Sequence, residues 1–160
     1  MFRYQILIEY VGTGFIGWQS QLKGKSVQKT IENSLKKILK EKISLVGQGR
    51  LDAGVHAISQ SAHFDTKSKI LDINRFLKRL NFLVNRSFIS ILSIKKRNEK
   101  FHSRYSAKAR IYKYIILNRE SSPTINKNRV WHIKKKINLE NIKKGAKFLI
   151  GKRDFSTFRA

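Results

Sequence analysis

Apolar and polar residues alternate from the second position onward: Phe2, Tyr4, Ile6, Ile8 and Tyr10 interleave with Arg3, Gln5 and Glu9. A period of two predicts a strand with one buried face. Gly12, Gly14 and Gly17 then punctuate a loop. Beyond it the period lengthens. Ser26 can cap a helix whose Val27, Ile31, Leu35 and Ile38 form one apolar stripe, with lysines on the other face. A short strand over 44–47 leads into a glycine-rich stretch. Residues 56–65 read as extended, with Ala57, Ser59, Ser61 and His63 on one face and Ile58, Ala62 and Phe64 on the other. Asp72 caps a second helix carrying Ile73, Phe76, Leu77, Leu80 and Val84, and Phe88 to Ile94 forms a further strand.

Laid end to end, these elements run β-α-β-β-α-β, the order of a ferredoxin-like, split-βαβ (RRM-like) unit. The predicted class is therefore α+β, with a mostly antiparallel sheet and helices on one face. The expected division is 1–98 for this subdomain and its glycine-rich loop, and 99–160 for the start of a second, incomplete one. In that second part, Ala109, Ile111, Tyr112, Tyr114, Ile115 and Ile116 predict a long strand, and Pro123 lies in a polar loop from Glu120 to Asn128. Asn138 caps a helix with Leu139, Ile142, Ala146 and Leu149, and Gly151 follows its end. The last segment, Phe155-Ser156-Thr157-Phe158-Arg159-Ala160, brings two aromatics with no following element to pack on.

Composition narrows the class. Of 160 residues, 41% are hydrophobic, which is a folding composition and not that of a disordered basic tail. No apolar run approaches the roughly 18 residues that span a bilayer. The opening Met1-Phe2-Arg3-Tyr4-Gln5 lacks the apolar block of a secretion signal. Cysteine is absent, which removes disulfides, thiol chemistry and cysteine-ligated zinc. These features point to a soluble protein of a reducing cytoplasm with no membrane partner. The charge is +25, from 35 Lys and Arg against 10 Asp and Glu. Part of that excess reflects lysine-rich composition in general; the rest favours a polyanion, and nucleic acid over an anionic membrane.

Carboxylates are scarce, so their positions are informative. Most lie on helices, at helix starts or in ordinary loops. Asp52 sits in Gly49-Arg50-Leu51-Asp52-Ala53-Gly54-Val55-His56-Ala57, between glycines that let backbone approach a ligand. With Arg50 near it, its carboxylate would stay ionised and could attack a sugar C1′. The same pattern also fits an aspartate that simply caps a turn. Tyr112 and Tyr114 in Arg110-Ile111-Tyr112-Lys113-Tyr114 would share a strand face, either to stack on a base beside a phosphate-binding Arg110 or as core filler. His56, His63, His102 and His132 are too scattered for a metal site.

Four ordered segments resemble the tRNA pseudouridine synthase A family. They are Tyr10-Val11-Gly12-Thr13-Gly14-Phe15-Ile16-Gly17-Trp18-Gln19, followed by Ser26-Val27-Gln28; the Asp52 block with Gln60 and His63-Phe64-Asp65; Phe101-His102-Ser103-Arg104-Tyr105-Ser106-Ala107 leading into 110–114; and Gly151 to Arg159. The resemblance implies an amino-terminal half of a pseudouridine synthase fold. It implies that Asp52 is the nucleophile that isomerises a flipped uridine of the tRNA anticodon stem-loop, without metal or cofactor. Arg50, Tyr112, Arg110, Tyr114, His56 and Arg104 would bind substrate, Arg50 by filling the flipped nucleotide's place and Tyr112 by packing on the base and assisting proton removal from C5. A homodimer is the family's usual state. Val11 and Leu51 depart from the family's usual Asp and Thr, and the family's further half-domain is missing, so apolar faces and strand edges are expected to be exposed. The alternative is a catalytically idle RNA-binding module; a base-excising glycosylase is a third option.

Overall fold

The computed structural model describes residues 1–158. Its packing falls into two compact units, Met1–Tyr112 and the residues from Lys113 onward. The first contains strands β1 (Phe2–Tyr10), β2 (Leu45–Gly47), β3 (Ala57–Thr66) and β4 (Ile89–Arg97), with helices α1 (Val27–Leu39) and α2 (Ile73–Val84). The chain order is β1-α1-β2-β3-α2-β4 and the sheet order is β2-β3-β1-β4, every pairing antiparallel. β3 thus lies between β1 and β2, the two strands that α1 connects.

Local chemistry starts both helices. The Ser26 hydroxyl accepts from the Lys29 amide at 3.2 Å, and the Asp72 carboxylate accepts from the Arg75 amide at 2.8 Å. Such caps contribute about 1 kcal/mol each. Val27, Ile31 and Leu35 of α1 and Phe76, Leu80 and Val84 of α2 are buried at helical spacing. They close one core with Tyr4, Ile6, Ile8 and Tyr10 of β1 and with Ala62 and Phe64 of β3. Each large aliphatic side chain buried there contributes on the order of 2 kcal/mol. Glu32 adds a polar tie, accepting from the Leu45 amide at 3.0 Å and fastening β2 to α1.

β3 departs from simple alternation. Ile8 pairs with Gln60 but Tyr10 pairs with Ala57, so β3 holds one extra residue in this interval. A bulge of this kind flips the faces beyond it. Ile58, expected beside Ala62 and Phe64, is instead 75% exposed, and Gln60 is buried in line with the core face. The strand expected from Phe88 starts at Ile89, because Phe88 takes a left-handed φ of 56° that ends the preceding turn.

The second unit holds β5 (Ile116–Asn118), β6 (Trp131–Ile133) and α3 (Leu139–Lys147). The long strand expected from Ala109 is not formed: only Ile116 to Asn118 find a ladder partner, in a parallel pair with β6. Residues 109–114 pair with no strand, Ile115 offers β6 only its carbonyl, which accepts from the Trp131 amide at 2.7 Å, and Ile111, Tyr112, Tyr114 and Ile115 are exposed. An extended segment without a neighbour has nothing to satisfy its backbone as a sheet. Asn138 caps α3 as expected, accepting from the Asn141 amide at 3.1 Å. The helix ends at Lys147, so Leu149 lies beyond it, and α3 has no buried residue. Phe155 and Phe158 are exposed; Arg159 and Ala160 of the terminal segment lie outside the described residues. No described helix is long and apolar enough to cross a membrane.

Candidate active site

The glycine-rich stretch leaves β2 and forms an exposed turn before β3. The Val55 amide donates to the Asp52 carbonyl at 3.3 Å, and Gly54 takes φ 78°. That is the third-position φ of a type II turn, which glycine supplies without steric cost. Asp52, the first turn residue, and Arg50 are both exposed, and no ion pair joins them among the described residues.

The turn is clasped by the loop after β1. The Trp18 amide donates to the Leu51 carbonyl at 2.9 Å, and the Gly12 amide donates to His56 Nδ1 at 3.1 Å. Asp52 therefore hangs between two fixed points, Leu51 and His56. Gly17 is required in this clasp. Its φ is 113°, and a Cβ there would come within 2.6 Å of the Leu51 carbonyl oxygen. The clasp is itself anchored to α1, because the Val27 amide donates to the Gly17 carbonyl.

A buried polar chain holds the segment before Arg50. Tyr10 Oη donates to Gln60 Oε1 at 2.8 Å, and Gln60 Nε2 donates to the Gly49 carbonyl at 3.1 Å. Burial pushes the Tyr10 phenol well up, so it stays a neutral donor. Gln60 is 3% exposed, and its partners account for both ends of its amide. A polar residue in an apolar register of β3 was the available signal for this role, although the bulge had to be known to read it.

From the other side, the loop after β4 crosses the polar face of the sheet. Arg3 forms a forked ion pair with Asp65, with Nη2 2.7 Å from Oδ2, and donates to the carbonyls of Glu99 and Phe101. The guanidinium holds the Asp65 carboxyl below its usual range. The Ser103 amide donates to His63 Nδ1 at 3.2 Å, and the Phe101 and His102 rings lie against the His63 ring. Burial, aided by the nearby charges of Arg3 and His102, lowers His63 to about 4. His63 is thus a neutral acceptor that holds the loop down. His63 and Arg3 were not singled out from the sequence as site residues. The unusual feature is a histidine buried on the otherwise polar face.

This loop carries Arg104 and Arg110 to the glycine-rich segment. Arg110 donates to the Gln48 carbonyl through Nε and Nη2, the latter at 2.8 Å, and its Nη2 also reaches the Arg104 carbonyl at 3.1 Å. Arg104 is exposed, its guanidinium 5.8 Å from the Tyr105 ring centre. Arg104, Arg110, His56, Arg50 and Asp52 are thereby linked through one backbone framework. Tyr112 is exposed at the last position of the first unit, and Tyr114 belongs to the second. The two tyrosines do not share a strand face, since 109–115 is not a strand. Among the described residues no group of three or more His, Asp or Glu could hold a metal ion.

A family model described as tRNA pseudouridine synthase matches residues 6–106. That span runs from β1 through the Asp52 turn to the loop carrying Arg104. The chain is 61% identical over 160 residues to the tRNA pseudouridine synthase A of Pelagibacter ubique, covering all of this chain and 65% of that relative. It is 44% identical over 160 residues to the protein of the same name from Anaplasma phagocytophilum, and 42% identical over 158 residues to that of Neorickettsia sennetsu. In both cases the match covers 99% of this chain and 65% of the relative, so the chain spans just under two thirds of the length of these relatives. On the match of its fold-bearing and loop-bearing residues to the family model, the chain belongs to the tRNA pseudouridine synthase family.

Proposed function

We propose that this chain forms the amino-terminal, ferredoxin-like part of a pseudouridine synthase that isomerises uridine in the anticodon stem-loop of tRNA, with Asp52 as nucleophile. The observation that carries the reading is the turn 52–55, which offers one exposed carboxylate between backbone ties at Leu51 and His56. A nucleophile held on a fixed turn meets the orientation requirement of covalent catalysis. The Asp52 carboxylate attacks C1′ of a flipped uridine, and the glycosidic electron pair leaves with N1 of the uracil. The base turns in the pocket, C5 bonds to C1′ as the C1′–carboxylate bond breaks, the C5 proton is lost to solvent and N1 takes up a proton, which gives the isomer of the starting uridine. The scheme needs no metal or cofactor.

Arg50 fills the space of the flipped nucleotide, and Tyr112 packs against the target base and assists removal of the C5 proton. Arg104, His56 and Tyr114 contact the substrate, as does Arg110 through the part of its guanidinium not bonded to Gln48 and Arg104. The basic surface holds RNA by shape and phosphate contacts. The reading places the protein in the cytoplasm and as a homodimer. Tritium release from tRNA labelled at uridine C5 tests it: release by wild type and none by Asp52→Ala supports it, whereas equal release by both contradicts it. A second reading, an RNA-binding module without catalysis, draws support from Leu51, whose side chain places no hydroxyl beside the nucleophile, and from the absence of buried residues in α3. Tight tRNA binding without release would favour it.

A further inference from the structure

The outer surface of the helix layer has no part in the chemistry above. A groove of about 470 Å³ runs between α1 and α2, lined by Lys37, Ile38, Lys78, Arg79, Phe82 and Leu83. Ile38 and Leu83 are half-buried and form its floor, while the three cations are exposed around it. Phe82 is 71% exposed, with the Arg86 guanidinium 5.9 Å from its ring centre. An exposed ring in a cationic frame is costly to hydrate and is well suited to stacking on a flat partner.

No carboxylate lines the groove. α2 contains none within its length, and Glu32, the one acid of α1, is committed to the Leu45 amide and the Gln28 side chain. Among the described residues the ion pair within 4 Å is Arg3–Asp65, on the sheet's other face, so none engages Lys37, Lys78 or Arg79. Concentrated, uncompensated positive charge with an aromatic platform matches nucleic acid: cations for phosphates and a ring for an unstacked base.

The groove is also remote from the Asp52 turn. The Val27 amide bonds Gly17 in the clasp, whereas Ile38 lies eleven residues along α1. At 1.5 Å per residue that is about 16 Å. RNA seated on the groove is therefore a different stretch from the nucleotide at Asp52.

We propose that the α1–α2 groove is a second RNA-contact surface, where Lys37, Lys78 and Arg79 take backbone phosphates of folded tRNA outside the anticodon stem-loop and Phe82 stacks on an unpaired base. The inference rests on the tRNA reading above and adds a surface to it.

Direct binding of intact tRNA and of the isolated anticodon stem-loop, each titrated over a range of salt, tests it. A Lys37→Gln/Lys78→Gln/Arg79→Gln triple is compared with Lys134→Gln/Lys135→Gln/Lys136→Gln, which removes the same charge elsewhere. The expected result is at least about a tenfold loss of tRNA affinity in the groove triple alone, with a salt slope reduced by about 3. Stem-loop affinity stays unchanged in both triples, and Phe82→Ala weakens tRNA binding without altering the salt slope. Equal losses in the two triples, or equal affinity of wild type for tRNA and stem-loop, overturn the proposal and leave the Asp52 reading standing. Unchanged tRNA affinity in the groove triple also overturns it, in favour of an acidic protein partner. The Asp52 reading fails separately, on tritium release that survives Asp52→Ala.

Discussion

Helices α1 and α3 begin alike, each with a polar cap that accepts an amide three residues on and with an apolar stripe at helical spacing. They end differently. Val27, Ile31 and Leu35 of α1 disappear into the core of the first unit, whereas Leu139 and Ile142 of α3 remain exposed. Caps and periodicity decide where a helix can form; burial against a sheet or another helix decides how much stability it brings. The first unit has four paired strands to receive its helices, and the second has a pair of three-residue strands. The candidate site is built on the unit that has the core, where every tie to the Asp52 turn traces back to β1, β3 or α1.

Large-to-small substitutions sharpen this contrast most. Phe64→Ala or Leu35→Ala should destabilise the first unit by about 3–5 kcal/mol. Ile142→Ala, at a side chain 50% exposed, should change stability by less than about 0.5 kcal/mol. Denaturant unfolding followed at both units reads the difference, and comparable costs would break the comparison.

Acid should act on the first unit selectively. His63 is neutral when folded, with its pKa lowered to about 4 from 6.5, so between these values the unfolded chain binds more protons. Stability is full above about pH 6.5 and falls as pH drops toward 4, by at most about 3 kcal/mol. The Arg3–Asp65 pair, with Asp65 lowered from 3.8, loses its contribution at still lower pH. A His63→Gln variant should lack the slope between pH 6.5 and 4 while keeping the lower one. A wild-type profile flat across that window would contradict the latch role of His63.

Smaller effects concern the site framework. Gly17→Ala should cost about 1–3 kcal/mol, because the substitution strains φ and crowds the Leu51 carbonyl. Gln60→Leu should cost about 1–3 kcal/mol by leaving the Tyr10 hydroxyl and Gly49 carbonyl without partners. Both should lower C5 tritium release more than Ile142→Ala does. Thermal melts alongside the release assay separate stability from positioning.

Much of the first unit was legible because its signals are local. Ser26 and Asp72 mark helix starts, and the strand period of β1 follows from side chains that face one core. The bulge in β3 was not legible: whether Ile58 or Gln60 faces inward depends on which residue pairs with Tyr10, a long-range matter. The strand expected over 109–116 failed for the same reason, since β-propensity cannot form a ladder without a neighbour. At the candidate site, the turn and its glycines were readable, as was the resemblance around them. The clasp by Trp18 and Gly12, the Tyr10–Gln60 chain and the Arg110 tie to Gln48 were not, because each joins residues distant in sequence.

The most direct test is uridine isomerisation on tRNA by the wild-type chain and by Asp52→Asn, which keeps the shape of the exposed side chain and removes its charge. Pseudouridine formed by wild type and lost by at least about a thousandfold in Asp52→Asn, with unchanged unfolding and tRNA affinity, is the predicted result. Pseudouridine formed at similar rates by both would contradict the assignment of Asp52 as the nucleophile.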